Sequence, residues 1–539
     1  MRLFLSLLVA SAATVLGQTF EPADFNITEA LLEQGVNVSA IPKLSELAER
    51  STTAGCSIAC NSLKLVYGSG SIVTQGSPAY DAFTSSFWST RQGEVNPYCI
   101  FKPSKGVDVS VAVLISRLTQ CPFAVKSGGH AAFAGASNIE GGITISFELM
   151  KAVTLSSDRK TASVEPGNRW GDVYQALSST DVTVIGGRVF NIGTGGLTTG
   201  GGISFFSSIY GWACDNVASY DVVTASGTIV NASPTQFPDL YWALRGGGNN
   251  FGLVVNFNLK TVPLPKQAMW GGTRVYTEDQ FPKVSKAFSN LVANSPSDPN
   301  AGQWVAWLNN GGTKLAAVEL YYAKPVANAS PIFDEYDAIP SISDSTQIRT
   351  LAEYAQTNQA SNPNGLREVY WGLTVKLDQR LADEAKDIFY QETAAIANVA
   401  GANPVIIYQG ITLGQLAAMT KNGGNPLGIS TADGPLYLIH IACWWNNASD
   451  DTRVYSALSK VLVRISDRAK ALGKMNDYIY MNYASQFEDV IKSYGTDNKA
   501  KLKSVASKYD PTGVYQTLQP GYFKLDHAPV PNSGYYSGI

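Results

Sequence analysis

Ala124-Val125-Lys126-Ser127-Gly128-Gly129-His130-Ala131, continuing through Ala132-Phe133-Ala134-Gly135-Ala136-Ser137, is the stretch around which the rest of the chain is organised. A short strand-like run stops at Ser127, two glycines remove every Cβ from the turn, and a histidine follows at once. This reads as a strand, a tight loop and an exposed imidazole. Paired glycines let successive backbone N–H groups converge on an anion without steric cost, as in loops that cradle a pyrophosphate. His130 would then stand beside whatever carries the phosphate. A tight turn whose histidine bonds its own loop accounts for the same residues, and on this segment alone both readings stay open.

The bulk numbers narrow the field. With 539 residues, 45% of them apolar and 15% charged, the chain has the composition of a globular protein of two to four domains. The net charge is −3 and no Lys/Arg run exceeds two residues, so there is no electrostatic footprint for nucleic acid or an anionic membrane. Met1-Arg2, the apolar run Leu3 to Ala10 and the small residue Gly17 read as a secretory signal over residues 1–17, which implies a secreted protein. No later run approaches the roughly 18 apolar residues of a membrane span. Export gives meaning to the sequons at Asn26, Asn37, Asn231, Asn328 and Asn447 as glycosylation sites, although proline follows those of Asn231 and Asn328. Six cysteines are few for this length. Cys56, Cys60, Cys99 and Cys121 cluster early, so at least one bridge is expected among them with the pairing open, and Cys214 and Cys443 read as buried thiols.

Outward from the opening stretch, Tyr98 to Phe101 reads as a strand. Val107, Val111, Leu114, Ile115 and Leu118 follow at helical spacing, and Phe123 to Lys126 is the strand that enters the Gly-Gly-His loop. Residues 18–60 show no strong periodicity and read as an arm. Further strands are expected at Ile143–Phe147, Thr161–Glu165 and Val182–Ile185, with a helix over Trp170–Leu177. Asp221 to Val230 reads as a hairpin turning at Ser226-Gly227, Asp239 to Arg245 as a short helix, and Val255 to Leu259 as a half-buried strand ending at Val262-Pro263-Leu264-Pro265.

Between these lies a second glycine cluster: Gly186, Gly187, Gly193, Gly195, Gly196, Gly200, Gly201 and Gly202. Eight glycines in seventeen residues argue against any regular element and for a backbone passing close to something flat or anionic. The cluster is not a dinucleotide fingerprint, since Thr198 stands where the third glycine belongs, and the chain has no Walker A loop, Gly-x-Ser-x-Gly elbow, His-Glu-x-x-His or Cys-x-x-Cys. Hydrolase, NTPase and metal readings have no motif behind them.

After Pro265 the character changes to aromatic-rich strands alternating with long amphipathic helices. These include a hairpin turning at Asn309-Asn310-Gly311-Gly312, a helix over Leu381–Ala400, strands at Val405–Gln409 and Leu436–Trp445, and a helix over Asp450–Leu472. Six of the ten tryptophans fall here, at 270, 304, 307, 371, 444 and 445. Most are expected in the core, and a few could line a flat-ligand or sugar site. The tail carries Tyr480-Met481-Asn482-Tyr483 and, after a helix, Lys508-Tyr509-Asp510-Pro511.

Both glycine clusters, the segment Leu240-Tyr241-Trp242-Ala243-Leu244-Arg245-Gly246-Gly247-Gly248-Asn249, the Tyr-x-Asn-Tyr element and Lys508 to Pro511 together resemble the berberine-bridge-enzyme-like branch of the vanillyl-alcohol-oxidase flavoprotein superfamily. The resemblance runs from about Tyr98 to Phe523, with the motifs in the family's order. It implies an α+β fold in which a two-part, PCMH-type FAD-binding domain carries an inserted substrate domain of antiparallel sheet backed by helices. The implied plan is a signal peptide at 1–17, an arm and the start of the FAD domain at 18–94, FAD domain at 95–265, substrate domain at 266–475 and a closing FAD-domain segment at 476–539.

The resemblance also implies FAD, bound covalently through His130. Ser127, Gly128, Gly129, Ala131, Ser137, Gly193, Thr194, Gly195, Gly200, Gly201 and Asn482 complete the implied cofactor site. Many relatives carry a second flavin link through a cysteine just before the second glycine cluster. Gly186-Gly187-Arg188-Val189-Phe190 has none here, so a single link through His130 is expected. Tyr483 matches the family's catalytic tyrosine, with Tyr480 as its rival. An unperturbed tyrosine ionises near pH ~10, so a base at this position needs a nearby cation or donor. An acid often found two residues after that tyrosine is replaced by Ser485. Gln409 ends a strand of the substrate sheet and is a candidate substrate contact, whereas His440, inside an apolar strand, reads as structural.

The activity implied is removal of a hydride from a substrate carbon of an alcohol, oligosaccharide or secondary metabolite, with oxygen or another acceptor taking the electrons. The chain is expected to be a monomer with no metal. Two alternatives stand beside this: a flavin-dependent cyclase, and a secreted flavin-binding protein with little turnover.

Overall fold

A computed structural model describes residues 19–44 and 55–538 of the chain. The expected signal peptide lies outside the described residues. The first sheet has four short strands, β1 (Ile72–Thr74), β2 (Cys99–Phe101), β3 (Phe123–Lys126) and β4 (Ile143–Ser146), in the order β1-β2-β4-β3. β4 runs parallel to both β2 and β3. That geometry requires a crossover, which the helix Gly106–Thr119 supplies between β2 and β3. Its apolar face is buried, and β3 ends at the edge from which the Gly-Gly-His loop departs.

Reading residues 18–60 as an arm is corrected here. Ile27–Glu33 is helical, with the Asn26 side chain accepting the N–H groups of Thr28 and Glu29, and a second helix spans Gly55–Tyr67. Periodicity under-reports the second helix because cysteine makes its key contacts: Cys56 pairs with Cys121 and Cys60 with Cys99, riveting the helix to the first sheet. Cys214 and Cys443 are buried thiols.

The second sheet is antiparallel. It comprises β5 (Val153–Leu155), β6 (Thr161–Val164), β7 (Val182–Val184), β8 (Val217–Val223), β9 (Ile229–Ala232) and β10 (Leu253–Pro263), in the order β5-β6-β10-β8-β9 with β7 also on β10. β8 and β9 form the expected hairpin, Val223 opposite Ile229. The second glycine cluster does contain a regular element, a short helix over Thr194–Thr199. Its surrounding glycines answer close approaches within the protein itself. A β-carbon on Gly186 would stand 2.1 Å from the Trp170 indole, and one on Gly200 would stand 2.2 Å from Asn482 Oδ1.

The chain leaves β10 at Pro263 and enters a third sheet at Ala268. This sheet holds nine antiparallel strands: β11 (Ala268–Thr277), β12 (Ala301–Asn310), β13 (Thr313–Tyr322), β14 (Ser343–Asp344), β15 (Gln347–Thr350), β16 (Arg367–Lys376), β17 (Asn403–Ile411), β18 (Leu436–Trp445) and β19 (Met475–Asn476). Their order is β14-β11-β13-β12-β17-β18-β16-β19, with β15 on β11. Helices Phe281–Asn294, Gln379–Thr393 and Asp451–Ala471 pack on one face, their apolar stripes forming a core with Trp270, Trp307, Trp371 and Trp445. The helix expected to run from Leu381 to Ala400 therefore stops at Thr393, followed by a 3-10 turn over Ala394–Ile396. Because strand side chains alternate, the other face of β12 presents Trp304, Ala306 and Leu308 to a cavity rather than to that core.

Candidate active site

A cavity of about 750 Å³ lies where the Gly-Gly-His loop, the second glycine cluster, the open face of the third sheet and the Tyr480–Tyr483 tail segment meet. Its first wall is two loops locked back to back. A β-carbon on Gly128 would stand 2.4 Å from the Gly193 nitrogen and one on Gly193 would stand 2.2 Å from the Gly128 nitrogen, so neither position admits a side chain. Ser127 reinforces the contact, its hydroxyl donating to Pro166 O (2.5 Å) and accepting from Gly195 N (3.2 Å). Gly129 takes a positive φ of 69°, turning the chain into His130. Residues 128–132 line the cavity, and their backbone N–H groups donate to no acceptor among the described residues. Free backbone donors beside a cavity suit the acceptors of a ligand.

His130 stacks on Trp88, with ring centroids 4.2 Å apart and planes 11° from parallel. Its Nε2 is buried with no hydrogen-bond partner among the described residues. Burial, with a smaller push from the Arg169 charge, lowers the imidazole pKa to about 4, so the ring is neutral at ordinary pH. Gln92 clamps the loop beyond it, donating to Ala131 O (2.7 Å) and accepting from Ser137 N (3.0 Å) and the Ser137 hydroxyl (2.6 Å).

The facing wall is polar at one spot. Arg188 follows Gly187, whose carbonyl accepts the Tyr174 hydroxyl at 2.6 Å, and its own carbonyl accepts from Asn358 Nδ2 at 3.1 Å. So held, its guanidinium donates through NH2 to Gln409 Oε1 (2.6 Å) and to the Tyr483 hydroxyl (2.9 Å), and lies over Trp304 at 4.6 Å. The Tyr483 ring stacks on His440 at 4.2 Å and 8°, and Tyr370 packs edge-on against both. Burial, then the Arg188 charge, lowers His440 to about 3. Tyr480 is wired differently. Its hydroxyl accepts from Gly202 N (3.1 Å), Ile203 N (3.1 Å) and Asn482 Nδ2 (3.0 Å), and burial pushes its ionisation well up.

Residues 97–233 match the family model described as an FAD binding domain. An FAD-dependent monooxygenase of Cochliobolus heterostrophus is 36% identical over 456 residues, covering 82% of this chain and 87% of the relative. The chain belongs to the berberine-bridge-enzyme-like family of FAD-linked oxidoreductases. An FAD-dependent monooxygenase of Aspergillus calidoustus is 33% identical over 482 residues, 87% of this chain and 91% of its own. A variant of berberine bridge enzyme in complex with (S)-reticuline shares the fold, with a TM-score of 0.70 at 18% identity over 85% of this chain and 97% of that one.

The site fits the cofactor of a berberine-bridge-enzyme-like oxidoreductase: unpaired N–H groups suit its acceptors, and a neutral, unpartnered imidazole nitrogen suits a covalent anchor. Of the residues expected at the cofactor, Ser127, Gly128, Gly129, His130, Ala131, Ser137, Gly193, Gly195 and Asn482 line the cavity, as do Gln409, Tyr480 and Tyr483. Thr194, Gly200 and Gly201 lie behind that wall. Thr194 Oγ1 bonds Asn168 O (3.3 Å), Gly200 makes room for Asn482, and a β-carbon on Gly201 would meet Trp212 at 2.9 Å. Sequence reasoning passed over Arg188, Trp88 and Gln92. Arg188 was visible as an arginine in an apolar, glycine-rich run, whereas Trp88 and Gln92 reach the loop only through the tertiary fold. His440, read as structural, is buried but lines the cavity against Tyr483.

Proposed function

We propose that this chain is a secreted oxidoreductase that holds one FAD covalently through His130 and oxidises a small molecule at a carbon bearing oxygen, with Tyr483 as the base. The observation that carries the reading is the bond from Arg188 NH2 to the Tyr483 hydroxyl, inside the cavity that His130 also lines. Bound FAD supplies a two-electron acceptor for a hydride from the substrate carbon, with oxygen or another acceptor as the final sink. The residues do the rest. Tyr483 takes the O–H proton, and the Arg188 guanidinium holds its hydroxyl oxygen in place through a hydrogen bond of 2.9 Å. Tyr480, whose hydroxyl accepts from Gly202 N, Ile203 N and Asn482 Nδ2, holds Asn482 in place.

The covalent anchor is tested by acid precipitation. The yellow colour should stay in the pellet, map to one peptide containing His130 and pass to the supernatant in His130→Ala. Colour freely extracted from the wild type, or flavin on Cys214, would refute it. Export is supported by Met1 to Gly17 and by two disulfides, and predicts a mature N-terminus at Gln18. Asn26, Asn37, Asn328 and Asn447 are exposed and suited to glycans. Asn231 is less so, because its amide nitrogen is bonded to Asp221 (2.6 Å) and Ser219 (3.1 Å). The relatives' name favours a second reading, oxygen insertion. Turnover under ¹⁸O₂ separates the two, since a monooxygenase leaves one labelled oxygen in the product and an oxidase leaves it in peroxide.

A further inference from the structure

Glu368 is a carboxyl that the fold encloses and leaves idle. It is 1% exposed on β16, and neither of its oxygens has a hydrogen-bond partner among the described residues. Two indole N–H groups of the same region are equally unspent. One belongs to Trp444, directly across the β16–β18 register from Glu368. The other belongs to Trp88, whose segment is held along the start of β16 by Gly365 N donating to Trp88 O (3.0 Å) and Thr90 N donating to Leu366 O (2.9 Å). Burial raises the Glu368 carboxyl to about 8, against the Ser89 hydroxyl and the Arg367 charge. A neutral acid is what an enclosed site without a counter-charge permits.

The carboxyl belongs to the surroundings of His130. The Ser89 hydroxyl stands beside it and donates to Ala132 O at 3.3 Å, two residues beyond the histidine. Tyr370, on the same face of the strand as Glu368, packs on Trp88 at 5.1 Å, and Trp88 lies almost parallel to the imidazole at 4.2 Å. An indole face attracts a cation set flat upon it, so the stack favours a charged ring that burial and Arg169 oppose in the apoprotein. The remaining charged and titratable neighbours offer the ring no anion. Arg169 bonds Asn191 Oδ1 (3.4 Å), Arg367 turns away to Glu94 and Asp451, and burial pushes the Tyr370 phenol up.

The covalent anchor makes opposite demands on this ring. The imidazole must be neutral to offer a lone pair, and once that lone pair has become a bond to the flavin methyl carbon, a ring that keeps its N–H proton is a cation. The carbon's displaced hydrogen leaves as a proton, and the electron pair of the broken C–H bond passes by way of the flavin to oxygen. We propose that Glu368 is the counter-charge of the anchor: its carboxylate, together with the Trp88 ring face, holds His130 as an imidazolium once the bond to the flavin has formed. Glu368 is thus a positioning residue. In an enclosed site an opposite charge is weakly screened, so it raises the basicity of the ring without touching it. The proposal rests on the anchor through His130 and on nothing about the substrate.

The test is a titration of the holoenzyme, requiring no turnover. The chain has three histidines, so protein labelled with ¹⁵N-histidine gives few imidazole signals, and nitrogen shifts report alkylation and protonation separately. His130 should show one alkylated nitrogen and lose its proton at a pH higher by about one unit or more than in Glu368→Gln, with Trp88→Phe between the two. Lost packing alone does not shift a proton's affinity in this way. Should Glu368→Gln hold its flavin only reversibly, Glu368→Asp, which keeps the charge, should restore the bond. A wild-type His130 with no alkylated nitrogen removes the anchor and this proposal with it. An alkylated ring that titrates alike in the wild type and Glu368→Gln, or loss of the bond in Glu368→Gln and Glu368→Asp alike, overturns the proposal and leaves the anchor standing.

Discussion

Tyr480 and Tyr483 stand three positions apart, and what touches each hydroxyl predicts opposite outcomes for the same substitution. Tyr483→Phe removes an oxygen that meets only Arg188. Flavin reduction should fall by roughly 10² to 10⁴, with flavin content and melting temperature near wild type. Tyr480→Phe strands the N–H groups of Gly202 and Ile203 and removes one of the two acceptors of the Asn482 amide. Stability should fall by about 1–3 kcal/mol while reduction persists. Stopped-flow reduction beside thermal unfolding of both variants checks this pair. The two buried histidines add a pH signature. Their pKa values in the folded apoprotein, about 4 and about 3, lie below the ordinary histidine value of 6.5. The unfolded chain thus binds more protons below that value, and stability is full above it and drains away as pH falls toward 3. Melting temperature followed from pH 8 to pH 3 should show this, and His440→Phe should remove part of the loss.

Among the elements, strands were the most legible. β3 and β18 have the bounds their apolar runs suggest, because a buried strand needs little more than that run and a turn at each end. The helices Gly55–Tyr67 and Thr194–Thr199 were not legible. The first is secured by disulfides, and the second is built from glycines that periodicity scores as loop. The glycines themselves announced close approach correctly but not its object, since a contact between Gly128 and Gly193 is invisible until two loops meet. They now separate by test. Gly193→Ala forces two backbones apart and should lower melting temperature and flavin content together. Gly196 has nothing within 4 Å of an added β-carbon and lines the cavity. Gly196→Ala should therefore keep or raise apoprotein stability, by up to about 1 kcal/mol from helix propensity, while flavin content falls.

At the scale of the whole molecule, both disulfides lie in and around the first sheet and no cysteine lines the cavity. Replacing Cys60 and Cys99 by alanine reopens a link across 39 residues and should cost about 2–4 kcal/mol in thermal unfolding. The flavin spectrum should not change. The tail has the opposite character. Asn482 fills the space that Gly200 leaves empty and donates to Leu197 O at 3.1 Å, so the second glycine cluster is held in shape by residues made almost three hundred positions later. A ribosome therefore releases the Gly-Gly-His loop long before the groove beside it exists, and a nascent chain paused anywhere short of Tyr483 has a half-built cradle. Loading of the cofactor is in this sense a completion mark. Yellow colour therefore reports that the chain has been made at least through Tyr483 and that this segment has packed against the second glycine cluster.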